Sequence, residues 1–221
     1  MNEILPKVVA SAASRTDLDV ALFEEEARSI GGAVEKRRRE FTTGRACART
    51  ALHQLGVPLQ AIPTGPHGAP QWPSKIVGSI THCNGYRACA VAHDADLAAI
   101  GVDAEPNQPL PAGILTTIAL PQEQQMVTRL TAEVPGVNWD RLLFSMKEAV
   151  FKAWFPLTGQ RLGFQEATIA VDPSMRTFNA RFVMGRGLDD FDLACFSGRW
   201  MACDGLLFTS ITHPTPASST G

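Results

Sequence analysis

The stretch Phe144 to Pro156, FSMKEAVFKAWFP, limits the possible folds more than any other part of the chain. Placed on a helix at about 100° per residue, Leu142, Leu143, Met146, Ala149, Val150, Ala153 and Trp154 spread over a broad apolar face. Phe144, Phe151 and Phe155 extend that face to the far side, leaving a narrow polar line of Arg141, Ser145, Glu148 and Lys152. A helix that is apolar almost all round is a buried one. A carboxylate and an ammonium on such a helix need partners, or they shift their pKa and neutralise. The polar line is therefore expected to look into a cleft. The same spacing also suits a purely structural i,i+4 pair in the favourable Glu-then-Lys order, and the helix alone leaves both readings open.

A second carboxylate feature precedes it. Leu97 to Glu105 reads as a strand with Ile100, Val102 and Ala104 on one face and Gly101, Asp103 and Glu105 on the other, because side chains alternate. Two carboxylates on one face repel and call for a cation. A hard divalent ion such as Mg²⁺ suits them, since no cysteine or paired histidine lies nearby to favour zinc. The plainer alternative is that both point into water at a sheet edge.

The rest of the chain reads as mixed helix and strand. Asp17 to Ile30 is expected to be a helix, broken by Gly31-Gly32. Ala33 to Leu55 is a longer one, ended by Gly56 and Pro58. Its outer side carries Lys36, Arg37, Arg38, Arg39, Arg45 and Arg49. That face is either a solvated basic surface or a phosphate clamp, since arginine forks match phosphate oxygens. Pro58 to Pro73 is a loop containing His67. Ile76–Thr81 and Tyr86–Ala92 form a hairpin around Asn84-Gly85, with Ser79, Thr81 and His82 at the turn end of its first strand. Pro106 to Pro121 is a Pro-rich connector around a short apolar segment, Ile114 to Leu120. Gln122 to Leu130 is helical, and Asn138 is placed to cap the central helix. Gly163–Val171, Phe178–Met184, Phe191–Ser197 and Trp200–Ile211 read as strands. Helix then strands occurs twice, which suggests two similar α+β halves, 1–110 and 111–212, followed by a disordered tail, 213–221.

Composition narrows the class further. With 221 residues, 45% of them hydrophobic, the chain can bury a substantial core. A formal net charge of -2 argues against general nucleic-acid binding. No apolar run is long enough to span a bilayer, and the N-terminus lacks the pattern of a signal peptide. Five cysteines without CxxC spacing read as reduced thiols of a cytoplasmic protein. No GxSxG elbow is present to suggest a serine hydrolase.

Five segments, RRREFTTGRACARTAL (Arg37 to Leu52), GAPQWP (Gly68 to Pro73), VGSITHC (Val77 to Cys83), IGVDAEP (Ile100 to Pro106) and FSMKEAVFKAWFPLT (Phe144 to Thr158), resemble those of the Sfp-type phosphopantetheinyl transferases, in particular the actinobacterial and enterobactin-associated branch. The resemblance runs over roughly Glu35 to Ile211, and its specific part is GVDAE together with KEAVFKAWFP. It implies a pseudo-dimer of two α+β halves with coenzyme A in the cleft between them. It implies transfer of the 4′-phosphopantetheine arm to a serine of an acyl or peptidyl carrier protein, with release of 3′,5′-ADP.

Carried over residue by residue, Asp103, Glu105 and Glu148 resemble the Mg²⁺ ligands. Glu148 also matches the proposed general base, and Lys152 the residue at the departing phosphate. Arg37 and Arg45 match the residues that hold the 3′-phosphate of CoA, and His82 matches a histidine on its phosphates. Ser79 and Thr81 are expected in the same pocket, and Lys147 matches a further CoA-contacting basic position. One departure is Gly68-Ala69-Pro70, where many members carry a lysine between glycine and proline. A monomer is expected, with the Pro106 to Leu120 segment as the carrier-docking surface. A metal-dependent nucleotide or phosphodiester hydrolase and a non-catalytic CoA-binding protein are the alternatives.

Overall fold

The computed structural model describes residues 1–182 and 195–216. It is an α+β chain with two antiparallel-based sheets, as expected. The chain forms two compact units, Met1–Leu5 with Gly101–His213 and Pro6–Ile100 with Pro214–Gly221.

In the second of these units, β1 (Ala10–Ser14), β2 (Ile76–Cys83) and β3 (Tyr86–His93) form a sheet of order β1-β3-β2. The β2–β3 hairpin turns at Asn84-Gly85 with Gly85 at φ +74°, a conformation open to glycine at little cost. Helix α2 (Glu35–Gln54) lies on this sheet. Cys47, Ala48, Ala51 and Leu52 of α2 pack with Ile62, Ile76, Cys89 and Val91 into one cluster. Small residues on α2 bring it close: a Cβ on Gly44 would stand 3.2 Å from Ile80 Cγ2. The face of β2 that carries Ile80 is therefore turned to α2.

Strand β1 has no counterpart in the sequence reading, because its five residues, ASAAS, lack any apolar alternation. The helix expected over Asp17 to Ile30 is a single short turn, α1 (Glu24–Arg28). The residues before it are held by tertiary bonds instead. Leu18 N donates to Thr43 Oγ1 at 2.9 Å, Arg49 donates to Ala21 O at 3.2 Å, and Asp17 pairs with Arg87 at 2.9 Å.

In the other unit, β4 (Leu97–Pro106), β5 (Ala167–Asp172), β6 (Thr177–Phe182), β7 (Cys195–Cys203) and β8 (Leu206–Pro214) form a sheet of order β4-β8-β7-β6-β5, with β4 at one edge. Helices α3 (Ile114–Ile118), α4 (Pro121–Glu133) and α5 (Trp139–Thr158) complete the unit. The expected apolar face of α5 is its core: Leu142, Leu143, Met146, Ala149, Val150, Ala153 and Trp154 are at most 2% exposed. Leu142, Leu143, Met146 and Val150 each contribute about 1.5–3 kcal/mol by leaving water. Trp139 packs edge-on to Trp200, and Trp154 against Phe182. The residue that lets α5 settle on β4 is Gly101, whose missing Cβ would fall inside the Ala149 carbonyl.

Three further differences have local causes. The single strand expected over Trp200 to Ile211 is broken into β7 and β8 at Asp204-Gly205, both at positive φ (+50° and +73°), the backbone of a tight hairpin turn. Gly163 to Glu166 is a 3₁₀ turn closed by Glu166, which accepts from Gly163 N at 2.6 Å, so β5 starts only at Ala167. Asn138 occupies the cap position of α5 but makes no cap bond, because its amide donates to Asn107. Residues 183–194, on which parts of two expected strands fall, lie outside the described residues. Of the expected tail, His213 and Pro214 finish β8 and Thr215 bonds to Asp94, while 217–221 lie outside the described residues. Among the described residues no helix is long and apolar enough to cross a membrane.

Candidate active site

The polar line of α5 meets the carboxylates of β4. Strand alternation and the close approach at Gly101 bring Asp103 and Glu105 to the helix, and each carboxylate finds a cation from it. Lys152 Nζ donates to Asp103 Oδ1 at 2.7 Å and to Val102 O at 3.2 Å. Arg141 Nη1 donates to Glu105 Oε2 at 3.0 Å. Arg141 also donates to the carbonyls of Gln108 and Pro109, tying the segment after β4 to the start of α5. Asp140 accepts from Leu110 N in the same tie. The fourth polar residue, Ser145, is fully buried and bonded to Thr209 of β8. It is an anchor, not part of the open line.

Glu148 lies on the same helix, between Arg141 and Lys152 in sequence. Among the described residues it makes no hydrogen bond and no ion pair. The structural Glu148–Lys152 pair is thus not formed; the ammonium has gone to Asp103. Burial pushes the Glu148 carboxyl up, with Lys152 opposing and Asp103 adding to the rise. Glu105 is pushed up to about 7, first by burial and then by Asp103, against Arg141 and Lys152. Among the described residues no three of histidine, cysteine, aspartate and glutamate already stand close enough to hold a metal ion. The donor chemistry nonetheless fits a hard divalent cation. All three groups offer carboxylate oxygens, and two of them, Glu105 and Glu148, hold protons more tightly than usual, first because they are buried and then because Asp103 lies near.

Lys147 is placed elsewhere. Its ammonium is buried and donates to Glu123 Oε1 at 2.9 Å, Phe164 O at 2.6 Å and Ala167 O at 2.9 Å. All three of its protons are used. Glu123 in turn accepts from Ile169 N and Leu120 N. The family resemblance matched Lys147 to a basic CoA-site position with a supporting role at most, since it leaves the polar line; in the structure it ties α4, α5 and β5 together.

The other unit carries the basic residues. Arg45 is 5% exposed, with its guanidinium over the Phe41 ring and Nη2 donating to Thr64 Oγ1 at 3.2 Å. Its Nε is buried and, among the described residues, donates to nothing. Burial, opposed mainly by Glu26, lowers its pKa to about 10. A buried arginine with a spare donor is a cation short of an anion. Thr64 leads into the Gly-Ala-Pro loop, where His67 and Gly68 both have positive φ. Arg49, in contrast, is committed to Glu26 at 2.8 Å, and that carboxylate also accepts from Ile62 N.

Arg37 and His82 are in contact, Nη1 to Nε2 at 2.6 Å, and Glu40 lies beside both. Glu40 was absent from the sequence reading; its i,i+3 spacing from Arg37 is the signal that could have found it. Ser79 and Thr81 are buried, and alternation along β2 puts them on the opposite face from His82. The structure therefore does not gather these three side chains on one surface.

One unit thus carries the basic helix and the other the carboxylate-lined helix–strand contact. The N-terminal domain of 4′-phosphopantetheinyl transferases matches residues 24–92, and the 4′-phosphopantetheinyl transferase superfamily matches residues 99–195. The chain is 51% identical to the 4′-phosphopantetheinyl transferase Svp of Streptomyces mobaraensis, over 90% of this chain and 81% of that protein. It is 43% identical to the 4′-phosphopantetheinyl transferase Npt of Nocardia iowensis, over 88% of this chain and 90% of that one. More distantly, it is 30% identical to enterobactin synthase component D of Salmonella typhi, over 66% of this chain and 58% of that protein. The chain belongs to the 4′-phosphopantetheinyl transferase superfamily and is a transferase. The hydrolase and the non-catalytic binding protein find no support among these relatives.

Proposed function

We propose that the protein transfers the 4′-phosphopantetheine arm of coenzyme A to a serine of an apo acyl or peptidyl carrier protein, releasing 3′,5′-ADP. The observation that carries the assignment of roles is Glu148: a half-buried carboxylate, without a protein partner among the described residues, on the helix whose Arg141 and Lys152 bond to Glu105 and Asp103.

Its raised pKa suits a general base, whose efficiency is greatest near the working pH. Glu148 takes the serine proton as the serine oxygen bonds to the phosphorus. The phosphorus–oxygen bond to the nucleotide breaks, and its electron pair leaves on the 5′-phosphate of 3′,5′-ADP. Lys152 spends one proton on Asp103 and one on Val102 O. The third is available to the departing phosphate, where positive charge counts most. Asp103, Glu105 and Glu148 are the residues that would hold Mg²⁺, which when bound supplies charge neutralisation for the pyrophosphate. Arg45 and Arg37 hold the 3′-phosphate, with His82 on neighbouring phosphate oxygens. The same reading expects a monomer working in the cytoplasm.

Incubation with coenzyme A, Mg²⁺ and an apo carrier protein, followed by intact-mass measurement, tests the assignment. The carrier should gain one phosphopantetheinyl group, and the gain should vanish with a chelator or in Glu148→Ala. Wild-type turnover in Glu148→Ala would remove it as the base.

A further inference from the structure

In the unit built on α2, Arg37, His82 and Glu40 form a three-membered cluster with a definite proton arrangement. A guanidinium only donates. With Arg37 Nη1 at 2.6 Å, His82 Nε2 is therefore the acceptor and carries no proton. The imidazole proton is left on Nδ1, which faces Glu40 Oε2 at 3.6 Å, an electrostatic contact just outside hydrogen-bond range. Glu40 Oε2 also lies 3.9 Å from Arg37 Nη1. Glu40 is the covered member, 11% exposed against 48% for Arg37 and 37% for His82. From β3 the residue opposite His82 is Arg87, whose guanidinium is paired with Asp17 at 2.9 Å. The charged groups facing His82 include Arg37 and Glu40 from α2, and Arg87, held by Asp17, from β3.

At rest, one arginine, one glutamate and a neutral histidine sum to zero charge. A neutral cluster whose ring nitrogen is an acceptor is a poor partner for a phosphate dianion. We infer that Glu40 is a positioning residue which fixes His82 as its Nδ1–H form and then supports the imidazolium, so that a phosphate dianion binds to Arg37 and His82 with uptake of one proton at His82 Nε2. This rests on the reading of Arg37 and His82 as holders of a coenzyme A phosphate. The proton comes from solvent. The Arg37 N–H···Nε2 bond breaks, an N–H bond forms at Nε2, and both donors then face phosphate oxygens. Glu40 at Nδ1 balances the new charge, and the cluster moves from neutral to +1.

Calorimetric titration of the full chain with 3′,5′-ADP, in two buffers of different ionisation enthalpy, counts the protons taken up. Uptake of up to one proton per 3′,5′-ADP bound is expected at pH 7.5, with less at pH 5.5, where an imidazole is more readily protonated before binding. Glu40→Gln should cut uptake at least about threefold and weaken 3′,5′-ADP about five- to tenfold, while Glu40→Asp largely retains both. His82→Gln should abolish uptake, with thermal melts showing that each variant folds. Identical heats in the two buffers for wild type, or full uptake in Glu40→Gln, would overturn the inference and leave the phosphate site standing. No heat in any buffer from folded wild type at millimolar 3′,5′-ADP would overturn the phosphate site itself. Should Glu40→Gln not fold, the His82→Gln and pH 5.5 measurements decide alone.

Discussion

Lys152 Nζ lies 2.7 Å from Asp103 Oδ1 and makes no ion pair with Glu148, its neighbour one helical turn back. The ammonium thus already occupies the carboxylate that the proposed divalent cation needs, and the two compete. Lys152→Gln should lower kcat about 10²–10³-fold, the range found when one preorganised donor to a developing anion is removed. The Mg²⁺ concentration for half-maximal rate should fall, because Asp103 is released. A Mg²⁺ titration of the variant checks both; a raised Mg²⁺ requirement would contradict the competition.

The contact that makes this possible is backbone on backbone. A Cβ at residue 101 would fall inside the Ala149 carbonyl, which belongs to a helix with a fully buried face. Overpacked cores ordinarily lose about 1–3 kcal/mol, and here the obstacle is a carbonyl that cannot rotate away. Gly101→Ala should therefore lose at least about 3 kcal/mol in urea unfolding, or fail to accumulate as folded protein. A loss under about 1 kcal/mol would mean that α5 and β4 stand further apart.

Lys147 and Glu123 give a third test, because the family resemblance and the structure assign Lys147 different work. Removing one partner of a buried pair leaves the other charge uncompensated and costs about 3–5 kcal/mol. Lys147→Met should lose that much stability in denaturant unfolding. Adding Glu123→Gln should recover part of it, since the amide still accepts from Ile169 N or Leu120 N. At temperatures where the variants are folded, KM for coenzyme A should stay within about twofold of wild type. A tenfold rise would restore Lys147 to the substrate.

These cases show what a single sequence reveals. The α5 face and the Asp103–Glu105 alternation were legible because they depend on periodicity, a local property. The destination of Lys152 was not. Choosing between Glu148 and Asp103 depends on the approach allowed by Gly101, which is a long-range fact. Arg141 was visible as a member of the polar line, yet its hold on Glu105 depends on the chain reversal after β4. The Lys147–Glu123 pair joins residues from two helices, and neither position has a local pattern that announces the other. Likewise, the Asp204-Gly205 turn was present as a dipeptide but hidden inside an apolar run.

The chain has one tyrosine, so its ionisation can be followed without assignment. Tyr86 is 6% exposed, and burial pushes its phenol up to about 12. The fold thus holds the protonated form more strongly than the unfolded chain does, where the ordinary value is about 10. Stability from this group is fully present below about pH 10 and is lost as pH rises through about 12. Absorbance at the tyrosinate band should show a midpoint near 12 in the folded protein and near 10 in denaturant. A folded-state midpoint of about 10 would place the phenol in water and open the β2–β3 hairpin to solvent.

Arg45 offers the sharpest separation of binding from chemistry. Among the described residues its buried Nε has no partner and no carboxylate lies within ion-pair distance of its guanidinium. A bound 3′-phosphate would satisfy it with a charge-assisted hydrogen bond, worth about 1.5–3 kcal/mol. Arg45→Ala should therefore raise KM for coenzyme A about tenfold or more, with kcat reduced less. The comparison substrate is dephospho-coenzyme A, which lacks only the 3′-phosphate. With it, wild type and Arg45→Ala should have kcat/KM values within about threefold, because the partner is gone from both sides of the comparison. If the variant loses as much against dephospho-coenzyme A as against coenzyme A, Arg45 supports the unit through Phe41 and Thr64 and does not hold the 3′-phosphate.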